Sequence, residues 1–484
     1  MASGAVWVFL ALAVSRVLGI ATYLVLARLL SPDDFGLVRF ALILIGAFTV
    51  LQDLGVPAAI IHSDRDPKVI GGTALTINLG ASVVLFALAV MLAPAMATLA
   101  RDDSIAPVLI ALSVGLVVLA IGSVQRAVLE KELEFRRKFI PEVVPLIVSG
   151  VTSIVLAFLG FGAWSLVWGY LVKAAASSVL LWGFSTVRPR PEFQPAIARE
   201  LFRYGKHMSL VSIIGFVAIN ADYFIVGRML GTYDLGLYTL AFLITNLPFQ
   251  GIVEPVHKVM FPAYCRVNDT AGSVVNLYES SLTLVSMLVI PICLGIFVAG
   301  PVFAPILFGS EWDSIGPSLQ LLACYTVMRS IYRSYAPVFA AIGRPEMVWR
   351  LNVVRLAILI PSMVLLAWWF ALVGVAIAYV LVSAVFIPLN VVRLGRALAL
   401  PGSRFVSLVV PQITGAAVAG LFVVAWDLTP GLSSIASDAV GSLGLTILSI
   451  GVYIGITVML NPRVLQLARE SVLVDVARRR LNLT

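Results

Sequence analysis

Long apolar runs separated by short polar segments dominate this chain. Six runs occupy its first part, near residues 6–30, 36–61, 70–92, 105–124, 140–159 and 164–184. Eight more follow, near residues 208–230, 235–257, 282–302, 319–342, 349–370, 374–392, 406–426 and 439–460. An α-helix needs about 20 residues to cross about 30 Å of hydrocarbon, and a bilayer requires every backbone polar group to be satisfied within the segment. The pattern therefore predicts an all-α membrane protein with about fourteen transmembrane helices.

Composition strengthens this prediction and removes other classes of protein. Hydrophobic residues make up 60% of the 484 residues and charged residues only 12%, whereas an ordinary soluble domain is about half apolar and about a quarter charged. The sequence has no HExxH, P-loop, nucleophile-elbow or CxxC motif, and Cys265, Cys293 and Cys324 lie far apart. We therefore predict a transporter and not an enzyme, with no metal and no other cofactor.

The net charge of +8 is distributed in a way that predicts orientation. Most Lys and Arg residues lie in the loops that follow the even-numbered helices, and only Arg28, Arg39, Arg101 and Arg228 are assigned to the loops on the other side. Short cytoplasmic loops accumulate basic residues. The N- and C-termini are therefore predicted to be cytoplasmic, and nucleic acid is not an expected partner.

An internal repeat occurs at an offset of 200 residues. Residues 28–37 read RLLSPDDFGL and residues 228–237 read RMLGTYDLGL, so that Arg, Leu, Asp, Gly and Leu coincide. Six predicted helices separate the two copies, which gives both the same orientation. The repeat predicts two parallel lobes related by an axis along the membrane normal, with a transport site between them.

The predicted domain organisation follows from the repeat. We expect an N-terminal six-helix lobe over residues 1–187, a basic cytoplasmic connector over 188–207 and a second six-helix lobe over 208–396. Helices 13 and 14 follow within residues 397–460, and a cytoplasmic tail occupies 461–484.

Several of these segments resemble one family of transporters. They are ARLLSPDDFG at residues 27–36, DLG at 53–55, GFGAWSLV at 160–167, the stretch 222–236 and FPA at 261–263. Together they resemble the polysaccharide-repeat flippases, the Wzx-like members of the multidrug/oligosaccharidyl-lipid/polysaccharide exporter superfamily. The similarity extends over essentially the whole chain.

This resemblance implies a function and partners. Such flippases move undecaprenyl-pyrophosphate-linked oligosaccharides from the cytoplasmic to the periplasmic leaflet of the bacterial inner membrane, for exopolysaccharide or lipopolysaccharide assembly. The implied partners are the lipid-linked oligosaccharide, membrane lipids, and the polysaccharide polymerase and export machinery.

Basic residues within the predicted helices are the candidate substrate site. A charge at the centre of a membrane helix is unfavourable by several kcal/mol, so such residues usually face a bundle interior or a watery cavity. Arg355 lies nearer the cytoplasmic end of its helix, where its side chain could snorkel. Arginine forks match phosphate oxygens, and tyrosine rings can stack on a hexose. The candidate substrate-binding residues are Arg16, Lys173, Tyr325, Arg329, Tyr332, Arg333 and Arg355.

Acidic residues within the helices leave two interpretations open. Asp53, Asp222 and Glu254 could couple transport to a proton or cation, or they could be structural counter-ions of the buried arginines. The second interpretation is the simpler one.

Two other functions are compatible with a helical membrane fold. A multidrug or small-cation antiporter of the same superfamily would need accessible acids in its cavity, whereas basic residues are in excess within these helices. A membrane glycosyltransferase or polymerase would be expected to carry a sizeable exported loop, but the longest predicted one covers only residues 303–317.

Overall fold

The structure is a computed structural model that describes residues 2–53, 56–62, 66–132, 134–266, 271–398, 402–427 and 439–460. Throughout these ranges the regular secondary structure is helical. The all-α fold predicted from the apolar runs is therefore confirmed. The described chain divides into two compact units, Met1–Thr239 and Leu240–Thr484.

The first unit contains eight helices and the beginning of a ninth. They are α1 (Ala2–Leu29), α2 (Pro32–Asp53), α3 (Val56–His62), α4 (Pro67–Ala100), α5 (Ile105–Lys131), α6 (Phe135–Phe158), α7 (Ala163–Phe184), α8 (Pro195–Leu230) and the start of α9 (Thr232–Pro248). Helix α5 packs against α2, α4 and α7, and α6 packs against α1 and α7. Leu109, Leu112 and Leu116 of α5 form the centre of its apolar core with Ile45 and Phe48 of α2.

Among its described residues, the second unit contains the rest of α9 and seven further α-helices. They are α10 (Glu254–Arg266), α11 (Ala271–Phe308), α12 (Gly316–Arg333), α13 (Tyr335–Ala341), α14 (Pro345–Ala397), α15 (Gly402–Asp427) and α16 (Ala439–Leu460). Helix α12 packs against α11 and α14, while α15 and α16 pack against each other and against α11. Tyr453 of α16 is buried and donates a 3.4 Å hydrogen bond to the carbonyl oxygen of Ser286 on α11.

The described helices are consistent with fourteen membrane crossings. When each continuous helical stretch is counted once, eleven described stretches are long and apolar enough to span a bilayer. One of the eleven is the 53-residue α14. That helix turns sharply at Phe370 and Ala371, so it contains both predicted helices 11 and 12. Helices α12–α13 and α15 occupy the positions predicted for helices 10 and 13.

The predicted connector is partly helical. Helix α8 begins at Pro195, within the segment 188–207, and continues without a break to Leu230. It packs against α2, α3 and α4, and for this reason the first compact unit extends to Thr239. The predicted tail, 461–484, lies outside the described residues. The division into lobes, connector and tail remains a prediction.

A tight turn with the same backbone geometry occurs in each unit. Gly162 precedes α7 with φ 52° and ψ −133°, and Ala371 in the turn of α14 has φ 48° and ψ −133°. Each follows a phenylalanine, and each is followed eight residues later by a tyrosine, Tyr170 or Tyr379. Glycine adopts this conformation without a Cβ clash, whereas alanine is strained in it. The second unit therefore carries strain that the first avoids.

We expect Ala371→Gly to stabilise the protein by about 1 kcal/mol, because relief of the Cβ strain exceeds the added freedom of the unfolded chain. The converse change, Gly162→Ala, is expected to destabilise it by a similar amount. Thermal unfolding of the detergent-purified protein measures both. A lower melting temperature for Ala371→Gly than for the wild type would contradict the assignment of strain to this turn.

Candidate functional site

Helix α12 supplies most of the residues predicted to bind substrate. It begins after a 3-10 turn, Ser310–Ile315, and ends at Arg333. The spacing of Tyr325, Arg329 and Tyr332 places them within two turns on one side of the helix. Both tyrosines are buried, while Arg329 and Arg333 are half-buried.

Arg329 is held by a polar and an aromatic partner from the α9–α10 segment. Its Nη1 donates a 3.0 Å hydrogen bond to Oδ1 of Asn246, and its guanidinium carbon lies 4.0 Å from the ring centre of Phe249. Phe249 is the first residue of a π-helical turn, Phe249–Val253, between α9 and α10. Such turns are frequent at functional sites. This turn follows Pro248 directly. Asn246, which lies just before it, and Phe249, its first residue, both contact Arg329.

Arg333 and Arg355 complete a cluster of three arginines within the second unit. Nη1 of Arg333 donates a 3.3 Å hydrogen bond to Oδ1 of Asn352 on α14. Arg355, also on α14, lies with its guanidinium carbon 5.9 Å from the ring centre of Tyr332. Its Nε is buried and has no hydrogen-bond partner in the described part of the chain. The candidate expected to snorkel is therefore half-buried in this cluster.

The partners of these three guanidinium groups are neutral. No described residue of the second unit brings a carboxylate to within ion-pair distance of Arg329, Arg333 or Arg355. Amide oxygens and aromatic faces lower the cost of burying a guanidinium without cancelling its charge. The cluster therefore keeps its positive charge, and a buried donor without a partner is the kind of group that an anionic ligand satisfies.

The two predicted tyrosines line this cluster from its buried side. Tyr325 and Tyr332 are only 4% and 3% exposed. The ring of Tyr325 lies 4.4 Å from that of Tyr379, centre to centre. Tyr379, Asn246 and Asn352 also belong to the cluster, and the sequence pattern did not predict them. Their signal is weak, since polar amides and tyrosines are tolerated at many positions of membrane helices.

The remaining basic candidates belong to the first unit. Arg16 is a half-buried residue of α1, and Lys173 is an exposed residue of α7. The charge of Lys173 interacts with that of Arg126, which also interacts with Asp53, the exposed last residue of α2. Nη2 of Arg126 donates a 3.4 Å hydrogen bond to Oγ of Ser177. The loop charges of the sequence included Arg126, but the structure places it inside α5, more than one turn before the end of the helix at Lys131. Its charge interacts with those of both Lys173 and Asp53.

A second polar group of the first unit surrounds Asp222. This buried residue of α8 accepts a 2.7 Å hydrogen bond from the hydroxyl of Tyr238, whose ring packs edge-on against Tyr223 at 5.2 Å. Arg39 lies over Tyr223, 3.8 Å from the ring centre, and donates a 3.2 Å hydrogen bond to Oδ1 of Asn220. The assignment of Arg39 to a loop was wrong, because α2 already begins at Pro32. Its position inside an apolar run was the signal.

The third acidic candidate, Glu254, is the first residue of α10 and is half-buried. Its backbone N–H donates to the carbonyl oxygen of Phe249, the i to i−5 bond that closes the π turn. Both interpretations of Asp53, Asp222 and Glu254, as residues that couple transport to a proton or cation and as structural counter-ions, stay predictions.

The two copies of the sequence repeat meet directly inside the first unit. Oγ1 of Thr232, at the start of α9, donates a 2.9 Å hydrogen bond to Oδ1 of Asp33, at the start of α2. A Cβ on Gly36 would collide with the carbonyl oxygen of Thr232, and a Cβ on Gly236 would collide with that of Pro32. The glycine that both copies share is therefore required for this backbone contact.

The long apolar helices define a multi-pass membrane protein. The chain belongs to the polysaccharide biosynthesis protein family, whose sequence model matches residues 25–317, more than half of its length. The family predicted from the sequence motifs is thereby confirmed.

Comparison with individual proteins agrees with this assignment. The chain is similar to the lipopolysaccharide biosynthesis protein WzxC of Escherichia coli (strain K12), at 28% identity over 79% of this chain and 78% of WzxC. Its fold is similar to that of the lipid II flippase MurJ in an inward closed conformation, with a TM-score of 0.70 and 14% identity over 96% of this chain and 100% of MurJ. It is also similar to an inward-facing multidrug resistance MATE family transporter, with a TM-score of 0.61 and 18% identity over 80% and 95% of the two chains.

We expect Gly36→Ala and Gly236→Ala each to separate the two repeat junctions by about 1.5 Å, since carbon atoms need about 3.5 Å to pack against other heavy atoms. Spin labels at the exposed positions Arg28 and Tyr233, in a background without native cysteines, measure the separation by pulsed electron paramagnetic resonance. Gly80→Ala is the matched control, because nothing lies within 4 Å of its added Cβ. An unchanged distance in both junction variants would show that the close backbone contact does not require glycine at these two positions.

Proposed function

We propose that this protein is a flippase that moves lipid-linked oligosaccharide repeat units from the cytoplasmic to the periplasmic leaflet by alternating access. The carrier lipid is undecaprenyl pyrophosphate, and the product serves the assembly of a surface polysaccharide. The observation that carries the proposal is the cluster of Arg329, Arg333 and Arg355, which is held by neutral partners within a membrane-spanning unit. Membership in the polysaccharide biosynthesis protein family supports it.

The substrate's pyrophosphate is the group that this cluster fits. A guanidinium can donate two parallel hydrogen bonds to phosphate oxygens that carry the opposite charge, whereas a neutral amide oxygen offers neither the charge nor the second acceptor. Phosphate oxygens would therefore replace the amide oxygens of Asn246 and Asn352 as acceptors from Arg329 and Arg333. The released amides would then be available to the hydroxyl groups of the adjoining sugar. Arg355 would supply its Nε, a buried donor without a hydrogen-bond partner in the described part of the chain.

The membrane potential can drive this movement. The cell interior is negative, and outward transfer of one negative charge gains about 2.3 kcal/mol per 100 mV. A substrate with two phosphate charges gains about twice that, provided that the arginines stay with the protein. ATP is not needed for this step.

An antiporter of drugs or small cations is the alternative function on the same fold. Such a transporter needs carboxylates at its binding site, and the described residues of the second unit bring none to the arginine cluster. The similarity to a MATE transporter supports a shared fold and leaves the substrate open.

The expected setting is the bacterial inner membrane, with both termini in the cytoplasm. A polysaccharide polymerase and export machinery are the expected partners, because a flipped repeat unit must be polymerised and exported before it reaches the surface. The loop charges support the orientation.

Reconstitution tests the activity directly. A fluorescent undecaprenyl-pyrophosphate oligosaccharide is placed in both leaflets of proteoliposomes, and an impermeant reducing agent is added outside. We expect nearly all of the fluorescence to be lost when the protein is present and about half without it. Loss of only half with correctly folded protein would contradict the proposal.

We expect Arg329→Ala and Arg333→Ala each to reduce surface polysaccharide at least tenfold in a strain that lacks the wild-type gene. A hydrogen bond to a charged group is worth about 1.5–3 kcal/mol, and about 1.4 kcal/mol corresponds to a factor of ten. Arg329→Lys should be intermediate, since it keeps the charge and loses the fork. The matched control is Arg266→Ala, an exposed arginine of the same unit.

Membrane levels of each variant are measured alongside the polysaccharide. Normal polysaccharide in both alanine variants would remove Arg329 and Arg333 from the substrate site. An equal loss with Arg266→Ala would assign the effect to overall charge.

We expect the rate of flipping to rise severalfold when a potential negative on the cytoplasmic side is imposed on proteoliposomes of uniform orientation. A potassium gradient with valinomycin sets the potential, and the reversed gradient should slow the reaction. A rate that is independent of the potential would indicate that compensating charge moves with the substrate.

A further inference from the structure

A cavity of about 600 Å³ lies between the two ends of α14. Its lining residues Val353 and Val354 lie in the chain between Asn352 and Arg355 of the arginine cluster, but its own arginines are different ones. Because α14 turns back on itself at Phe370 and Ala371, its first turns and its last turns come together. The described residues that line the cavity are Arg344, Met347, Trp349, Arg350, Val353, Val354, Arg393, Arg396 and Ala397.

Four of these lining residues are arginines, and none of the described lining residues is acidic. Arg344, Arg350, Arg393 and Arg396 form no ion pair in the part of the chain that the structure describes. Arg393 and Arg396 lie in the last turns of α14, where the helix dipole favours cations. Arg344 and Arg350 lie at its beginning, where the dipole is positive and adds to their charge. The cavity therefore attracts anions.

The rest of the lining is apolar and open. Trp349 is 57% exposed, and Val353 and Val354 are 46% and 45% exposed. Val354 is one helical turn beyond Arg350, and Ile358, another turn along the same face, is 45% exposed. A charged opening thus continues into an apolar stripe along a membrane helix. This is the arrangement that accepts a lipid, with its head group at the arginines and its chain along the stripe.

The lining also discriminates among anionic lipids. Two arginine forks together can hold one phosphate group, so four arginines match a head group with two phosphates. Among the described lining residues Trp349 could stack on a sugar ring, but none has a hydroxyl or amide side chain that could bond its hydroxyl groups. By contrast, Arg329 and Arg333 lie beside Asn246 and Asn352. The cavity suits a phospholipid better than a glycosylated substrate.

We propose that this cavity is a binding site for a membrane phospholipid with two phosphates in its head group, the chemistry of cardiolipin. Basic pockets between membrane helices on the cytoplasmic side bind such head groups. The arginines of this site are not among the candidate substrate residues, and the site would tie the α14 hairpin to the anionic leaflet. The proposal does not depend on the transported substrate.

Native mass spectrometry of the full-length protein with added cardiolipin tests the proposal. We expect the wild type to retain one cardiolipin, and the variant with Arg344, Arg350, Arg393 and Arg396 all changed to Gln to bind it at least tenfold more weakly. The matched control changes Arg136, Arg190, Arg199 and Arg203, four exposed arginines outside the cavity, to Gln and should bind within twofold of the wild type. Equal weakening in the control would overturn the proposal.

Further arms identify the ligand. Phosphatidylglycerol at matched total charge should bind at least tenfold more weakly than cardiolipin, and inorganic pyrophosphate should not compete at equal concentration. Equal binding of phosphatidylglycerol, or displacement of cardiolipin by pyrophosphate or by undecaprenyl pyrophosphate at equal concentration, would overturn the assignment.

A charge-preserving variant keeps the proposal testable if the glutamine variant does not fold. Changing the four arginines to Lys retains the charge and removes the forks, and binding should fall severalfold. Unchanged binding in the lysine variant would overturn the phosphate-fork explanation. The Arg329→Ala variant should retain cardiolipin, which separates this site from the proposed transport site.

Discussion

The structure depends on one constraint, the burial of guanidinium groups in a membrane-spanning unit where no described residue gives them a carboxylate partner. A charged side chain at the centre of a bilayer is costly, and a helix keeps one only where other groups solvate it. Here Asn246 and Phe249 solvate Arg329, Asn352 solvates Arg333, and Tyr332 faces Arg355. Because these partners are neutral, they do not cancel the positive charge of the arginines, and the site can still attract an anion.

The local irregularities of the second unit serve this constraint. The π turn at Phe249–Val253 follows Asn246 closely enough for one helix segment to supply both the amide and the ring that contact Arg329. The sharp turn of α14 returns its second half towards α12, so that Tyr379 packs on Tyr325 behind the arginines. In the first unit a turn with the same backbone angles uses Gly162, where the glycine avoids the strain found at Ala371.

Much of this architecture follows from sequence patterns, and the exceptions have physical causes. Length and hydropathy predict the helices because a bilayer permits few alternatives, and the Arg329/Arg333 pair could be found because buried charge is rare. Asn246, Asn352 and Tyr379 could not be found in this way, since burying a neutral polar side chain does not carry the free-energy cost of burying a charge. Arg39 was misplaced because it lies only two turns from the start of α2. The junction of Gly36 and Gly236 was visible as a repeat, but only the structure shows that the two copies touch.

The distribution of lipid-linked repeat units across the inner membrane tests the central claim most directly. Cells depleted of this protein are converted to spheroplasts, and the glycan of the lipid-linked unit is probed with an impermeant glycan-modifying reagent. The account predicts that the units accumulate and are protected from the reagent, because they stay in the cytoplasmic leaflet. Units that remain accessible from outside to the same extent as in undepleted cells would contradict it.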